Sequence, residues 1–337
     1  MPTKRQPRHA PQRLLADTLI SPDAGPPEGS VRGLVTRAHG LWFEVSLEGS
    51  NRSIIATVRG QLKRRRRKTD IVAVGDRVWV SELPDGEGAI EYVEPRIRAL
   101  VRTARHTRDT EQVVLANPDQ VLFVFAIRDP LPHVRMLDRF LILAEMQEIP
   151  IRICVSKMDL EVEFPEPPAD RLFAPYQQMY PVHRISTLTG TGIPELREAL
   201  HGQITAVAGP SGVGKSSLLN VLDPDHSRDV AAISAATGKG RHTTIGTQVH
   251  DLGNGTFVAD TPGIRALAMS AIPSDELDWL YREFRPYLGG CFYQDCTHVH
   301  EPGCKISEAV ERGDISLDRY ESYRGLRTGD ELSEGGG

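Results

Sequence analysis

Gly209-Pro210-Ser211-Gly212-Val213-Gly214-Lys215-Ser216-Ser217 has the residue types and spacing of a phosphate cradle. An apolar run, residues 204–208, precedes it, and Leu218-Leu219-Asn220-Val221-Leu222 follows, so the stretch reads strand, glycine loop, helix. From Ala208 onward, backbone N–H groups freed by Gly209, Gly212 and Gly214 can converge on phosphate oxygens, and the helix adds the positive end of its dipole. Lys215 is placed to reach the β- and γ-phosphates, and the Ser216 hydroxyl to ligate Mg²⁺. A second carboxyl-end motif follows: residues 256–259 read as a strand ending in Asp260-Thr261-Pro262-Gly263. Asp260 is positioned to associate with the Mg²⁺, and the Gly263 N–H to sense the γ-phosphate.

The base end of such a nucleotide has its own candidate. Residues 151–155 form an apolar strand that ends in Ser156-Lys157-Met158-Asp159, similar to the Asn-Lys-x-Asp guanine motif with Ser in place of Asn. A carboxylate at Asp159 accepts hydrogen bonds from the N1–H and 2-amino group of guanine, whereas adenine offers it neither arrangement. Ser186, in Ser186-Thr187-Leu188-Thr189-Gly190, resembles the remaining base-contacting loop. Between the phosphate loop and Asp260, Thr237-Gly238-Lys239-Gly240-Arg241-His242-Thr243-Thr244 reads as a first switch. There Thr243 or Thr244 is expected to reach Mg²⁺, with His242 positioning the attacking water. Ile264 occupies the place where many such enzymes keep a Gln, which predicts slow intrinsic turnover.

A third cluster is of another kind. Cys291-x4-Cys296-x-His298-x5-Cys304 gathers three thiolates and an imidazole within fourteen residues, with His300 as a rival nitrogen. Four such ligands complete a tetrahedral Zn²⁺ and leave no open position, which marks a structural site. Cys154, the only other cysteine, lies inside an apolar strand, so the cysteine usage argues against a disulfide scaffold and for a reducing compartment.

These groups need elements to hold them, and 337 residues suggest two or three domains. Residues 1–29 are proline-rich, basic and aperiodic, so a disordered tail is expected. Across 30–97, short β-type runs at 31–36, 41–46, 53–58, 77–82 and 89–93 suggest a five-stranded Greek-key barrel of the oligonucleotide-binding type. Residues 105–273 alternate strands and helices, which implies an α/β domain with a mostly parallel sheet covered on both faces. Residues 274–337 read as a helical, zinc-binding domain. No apolar run approaches the roughly 20 residues needed to span a bilayer, and no secretory signal is evident, so a cytoplasmic protein is expected.

The net charge of −5 is unevenly spread. Residues 1–110 carry 20 Lys and Arg against 13 Asp and Glu, a balance of +7, while residues 111–337 carry 20 against 32, a balance of −12. Lys63-Arg64-Arg65-Arg66-Arg67-Lys68 dominates the basic end, and a phosphate backbone is its natural counterion.

The order of the motifs is the most specific feature. Asp159 and Ser186 precede Gly209, and Asp260 comes last, so one nucleotide pocket requires a circularly permuted domain. Barrel, permuted motifs and Cys-Cys-His-Cys knot together resemble the bacterial circularly permuted, small-ribosomal-subunit-dependent GTPase A family, over about residues 30–325. The resemblance implies GTP hydrolysis stimulated by the small (30S) ribosomal subunit, a role late in that subunit's maturation, and contacts to its ribosomal RNA through the barrel and zinc domains. Its ligand pattern favours His298 over His300. Two other classes compete: an ATP-using kinase built on the same phosphate loop, and a nonenzymatic RNA-binding scaffold that merely holds nucleotide. A monomer is expected.

Overall fold

The computed structural model describes residues 25–50, 52–59, 71–84, 86–103, 111–161, 169–223, 247–261 and 274–329. Residues 1–24 of the expected basic tail, the Lys63–Lys68 run, the first switch with His242, Thr243 and Thr244, and Gly263 lie outside these residues.

The first unit is a closed barrel of five strands: β1 (Val31–His39), β2 (Trp42–Leu47), β3 (Ser53–Val58), β4 (Arg77–Glu82) and β5 (Gly88–Val93). Their order is β1-β2-β3-β5-β4 with β4 returning to β1, and only the β3–β5 pair is parallel. This is the Greek-key closure that the run of short strands suggested. Period-two alternation explains the core: Phe43, Val45 and Leu47 point inward from β2, while Trp42, Glu44 and Ser46 do not. Beside the barrel, β6 (Ala99–Thr103) pairs antiparallel with β7 (Glu111–Ala116), and the Ala116 N–H donates to the Val74 carbonyl at 2.8 Å. Asp76, at the base of β4, is fully buried and takes a two-pronged ion pair from Arg96, at 2.8 and 2.7 Å.

The second unit is a six-stranded sheet in the order β10-β9-β8-β11-β13-β12. Its strands are β8 (Gln120–Ala126), β9 (Ile151–Ser156), β10 (Val182–Arg184), β11 (Ile204–Ala208), β12 (Gln248–Asp251) and β13 (Phe257–Asp260). All neighbours are parallel except the edge strand β12, which runs antiparallel to β13. β8 and β11 are buried at every position, as an apolar run with no polar face requires when both sheet faces are covered. Val121, Phe123 and Phe125 face helix α1 (Val134–Met146), with the Phe123 and Phe140 rings stacked at 5.3 Å. Leu122, Val124 and Ala126 face the opposite core, with Leu196, Leu218 and Leu219.

Helix α1 also belongs to a second core. Leu137, Phe140, Leu141 and Ala144 pack on the sheet, whereas Ile142 and Met146 pack on Leu277, Tyr281 and Phe284 of the C-terminal unit. That unit is short-helical, with its longest segments at Lys305–Glu311 and Leu317–Thr328, and its aromatic core of Tyr281, Phe284, Tyr320 and Tyr323 sits beside the cysteine cluster. Among the described residues, no helix is long and apolar enough to cross a membrane.

Candidate nucleotide site and metal centre

Parallel pairing brings the ends of four segments to one edge of the sheet. Ala208 lies opposite Phe123, Val207 opposite Asp260, and Ala126 opposite Ser156, so the carboxyl ends of β8, β9, β11 and β13 open onto a common crevice. Ligands of open α/β sheets sit in such a crevice. At the exit of β11 the chain turns directly over β8. A side chain at Gly209 would lie 2.1 Å from the Val124 carbonyl oxygen, so only glycine permits that approach. Gly212 and Gly214 hold φ of 80° and 92°, the left-handed region that lets the loop curl back on itself. Val213 is buried and anchors the loop to the core, while Ser211 and Gly212 are exposed at its rim.

Helix α2 (Lys215–Leu222) starts immediately after Gly214, aiming its unpaired N–H groups into the loop, with Ser216 and Ser217 exposed in its first turn. The Lys215 ammonium curls over the loop and donates to the carbonyls of Gly209 at 2.9 Å and Pro210 at 2.6 Å. Burial lowers the Lys215 pKa, against the opposing pull of the Asp260 charge. Burial likewise raises the Asp260 pKa, opposed by Lys215 and His250. Opposite charges facing each other across a half-buried mouth form the electrostatic setting a metal–phosphate group would enter. Thr261, next in the chain, donates its hydroxyl to the Val207 carbonyl at 2.7 Å and fixes the end of β13 beside the loop.

The second predicted motif is in contact with the first. Ser156 is buried, and its hydroxyl donates to the carbonyl of Val213, inside the phosphate loop, at 2.5 Å. Lys157 adopts φ 59° and donates its ammonium to the Asp129 carbonyl. Met158 and Asp159 open a 3-10 turn (Met158–Glu161), with the Met158 N–H on the Ile185 carbonyl at 3.1 Å. Ser186 is fully buried; its hydroxyl donates to the Asp159 carboxylate and accepts the Leu188 and Thr189 N–H groups, each at 3.2 Å. The carboxylate is thereby oriented by Ser186, the buried first residue of a second loop. Sequence reasoning missed the Asp129-Pro130 turn that follows β8. A side chain at Gly212 would meet Pro130 at 3.6 Å, so this turn walls the loop. Its place after the apolar run of β8 was a usable signal, since carboxyl-end loops line such crevices.

In the C-terminal unit, one ligand atom each from Cys291, Cys296, His298 and Cys304 lies within 4.8 Å of all the others. Zinc bonds of about 2.0–2.3 Å in a tetrahedron place ligand atoms roughly 3.5–3.8 Å apart. The Cys291 and Cys304 sulfurs are 4.0 Å apart, and the His298 Nδ1 stands 3.5 Å from one and 3.4 Å from the other. The donor set fits Zn²⁺, with Nδ1 as the ligating nitrogen. His300, the rival, is exposed and outside the group. The other ring nitrogen of His298 stands 3.5 Å from an Asp278 carboxylate oxygen, the carboxylate–imidazole arrangement that orients a ligating histidine. No local pattern marks Asp278, thirteen residues upstream of the first cysteine. Glu301 closes the loop by accepting the N–H groups of Thr297, Val299 and His300.

Comparison with known proteins converges with this geometry. The model of the family described as RsgA GTPase matches residues 93–270. The small ribosomal subunit biogenesis GTPase RsgA of Gemmatimonas aurantiaca is 44% identical over 90% of this chain and 98% of its own length. The protein of the same name from Chlorobaculum tepidum is 37% identical over 88% and 97%. Among solved structures, YjeQ from Thermotoga maritima superposes with a TM-score of 0.72 at 34% identity, covering 89% of this chain and 98% of that one. YloQ, described as a circularly permuted GTPase, gives 0.71 at 27% identity over 91% and 97%. Matched over nearly its whole length by proteins of one kind, and with the phosphate loop entering its sheet after the base-side motif, the chain belongs to the RsgA family of GTP hydrolases.

Proposed function

We propose that this GTP hydrolase acts in biogenesis of the small ribosomal subunit, binding that subunit and being stimulated by it. The observation that carries the reading is the contact between Ser156 and Val213, which joins the base-side motif to the phosphate loop in permuted order. The names of the relatives point to the same process.

In the proposed site, Asp159 receives the guanine edge, with the Lys157 stem along the base and Ser186 behind the carboxylate. The loop from Ala208 to Ser217 surrounds the phosphates, with Lys215 on the β- and γ-oxygens. Mg²⁺ would be held by Ser216, Asp260 and either Thr243 or Thr244, and when bound would neutralise charge developing on the transferred phosphoryl. Gly263 would sense the γ-phosphate, and His242 would orient the attacking water. Cys291, Cys296, His298 and Cys304 would hold one structural Zn²⁺. We assign residues 1–29 to a basic tail, 30–97 to an RNA-binding barrel, 105–273 to the GTPase domain and 274–337 to the zinc domain, in a cytoplasmic monomer. The Lys63–Lys68 loop would supply phosphate-backbone contacts to ribosomal RNA.

The test is GTP turnover by the purified full chain with and without small ribosomal subunits. Turnover should be slow alone, given Ile264, and rise by orders of magnitude with subunits. Equal rates in both conditions would remove the ribosomal reading, and His242→Ala should abolish the stimulated rate while GDP binding persists.

A further inference from the structure

The family motif has Asn where this chain has Ser156, and the two side chains differ in how many partners they can serve. A carboxamide has two N–H donors and an acceptor, so it can hold a loop and meet a base at once; a hydroxyl has one proton. Here that proton is committed. Ser156 is 3% exposed, and its Oγ lies 2.5 Å from the Val213 carbonyl oxygen, with Phe125 O as a longer contact at 3.3 Å. Val213 sits between Gly212 and Gly214, the two residues whose left-handed backbone shapes the cradle. A side chain on Gly214 would be 3.9 Å from the Ser156 oxygen, so β9 touches the cradle from behind. The next residue, Lys157, spends its ammonium on the Asp129 carbonyl, in the turn whose Pro130 flanks Gly212. Ser156 therefore holds the back of the phosphate loop and Lys157 the turn that flanks it, whereas the Asp159 side chain is oriented by the separate Ser186 loop.

We infer that Ser156 is a positioning residue for the phosphate loop and takes no part in reading the base, so that base discrimination in this chain falls to Asp159. This rests on the guanine-nucleotide reading of the pocket. Removing the hydroxyl leaves a carbonyl without its buried donor and frees Val213 to move. The loop then loses its preset shape, and ligands lose affinity through their phosphates rather than through their base.

The experiment is calorimetric titration of the full-length chain and of Ser156→Ala and Ser156→Asn with GDP, GMP and IDP, alongside thermal unfolding. IDP lacks the 2-amino group, so the GDP-to-IDP affinity ratio reports base reading alone. Ser156→Ala should weaken GDP and IDP by the same factor, about tenfold for one buried hydrogen bond, and weaken GMP much less. The GDP-to-IDP ratio should stay at the wild-type value. Ser156→Asn restores a donor to Val213 and should bind GDP at least as tightly as wild type. A changed ratio in Ser156→Ala, or unchanged GDP affinity, overturns the inference. If Ser156→Ala does not fold, a tenfold weaker GDP complex in folded Ser156→Asn overturns it equally. Failure of the wild-type chain to bind GDP would instead remove the nucleotide reading on which the inference stands.

Discussion

Asp159 in the proposed pocket faces a base through a carboxylate whose far oxygen contact is already satisfied by Ser186, which fixes its plane. A carboxylate in that pose accepts from two adjacent donors, N1–H and the 2-amino group, and repels the carbonyl that xanthine presents at position 2. Asp159→Asn exchanges one acceptor for a donor and inverts that preference. GDP affinity should fall by about 10- to 100-fold, the worth of hydrogen bonds to a charged group, and XDP should become the better competitor. Competition binding against a fluorescent guanine nucleotide measures both, and unaltered GDP affinity would exclude Asp159 from the base site. The residue types at this site were legible in the sequence because each is tied to a chemistry that few others can perform. Ser156 was legible as a departure from Asn, but its hydrogen bond was not. Val213 lies 57 positions away, and the pairing exists only because β9 and β11 flank β8.

Elements set the strength of the metal centre. The terminal helix Leu317–Thr328 sends Tyr320 OH to the His298 carbonyl at 2.9 Å and Tyr323 OH to the Thr297 carbonyl at 2.7 Å, so the ligand loop and this helix share hydrogen bonds. Asp278, ahead of the cluster, stands 3.5 Å from the His298 ring and would orient it as a ligand of the proposed Zn²⁺. Asp278→Ala should therefore weaken zinc affinity about 10- to 100-fold, read by competition with a chromophoric chelator. Chelation of the wild-type chain should also loosen the aromatic packing of Tyr281, Phe284 and Tyr323, seen as loss of near-ultraviolet circular dichroism. An unchanged spectrum after complete metal removal would mean that the aromatic core, not the ion, holds this unit. The strands of the barrel and the inner strands β8, β9, β11 and β13 of the central sheet were legible because alternation and unbroken apolar runs are local patterns, whereas the three-residue edge strand β10 was not. The β6–β7 hairpin was not. Its strands are five and six residues long, are irregular at Leu100–Val101, and gain their place from Ala116 pairing with Val74 across the barrel boundary.

At the scale of the whole molecule, helix α1 joins the central sheet to the C-terminal unit through buried charge. Asp138 and Glu145, two turns apart on α1, each receive cations from the C-terminal unit: Arg319 reaches Asp138, and Arg282 and Arg285 reach Glu145 at 2.6 and 2.9 Å. Arg319 is 3% exposed, also pairs with Glu283 at 2.6 Å, and lies over the Tyr281 ring at 4.4 Å, while Tyr176 OH donates to Asp138 at 2.7 Å. Charged residues in a helix read from sequence as a solvated face, and only the assembled units reveal them as buried, so this seam had no sequence signature. Its energetics are asymmetric. A buried ion pair adds little over an apolar substitute, but removing one member strands the other without water or partner. Arg319→Ala leaves Asp138 and Glu283 uncompensated and should cost about 3–5 kcal/mol of stability, measured by urea unfolding. Because Ile142 and Met146 pack in the zinc unit's core while Leu137 and Phe140 pack on the sheet, the loss should fall on both units, with a single transition moving to lower denaturant. Two separated transitions in the wild-type chain, or a loss below about 1 kcal/mol in Arg319→Ala, would mean that the units merely touch. A seam this costly to open also constrains the mechanism. Chain between β13 and Ser274 links the nucleotide pocket to the zinc unit, and that unit is clamped to α1, which begins beside the Asp129-Pro130 turn of the same pocket. Subunit-stimulated GTP turnover should therefore fall more in Arg319→Ala than turnover of the isolated chain, compared at a temperature where both proteins are folded.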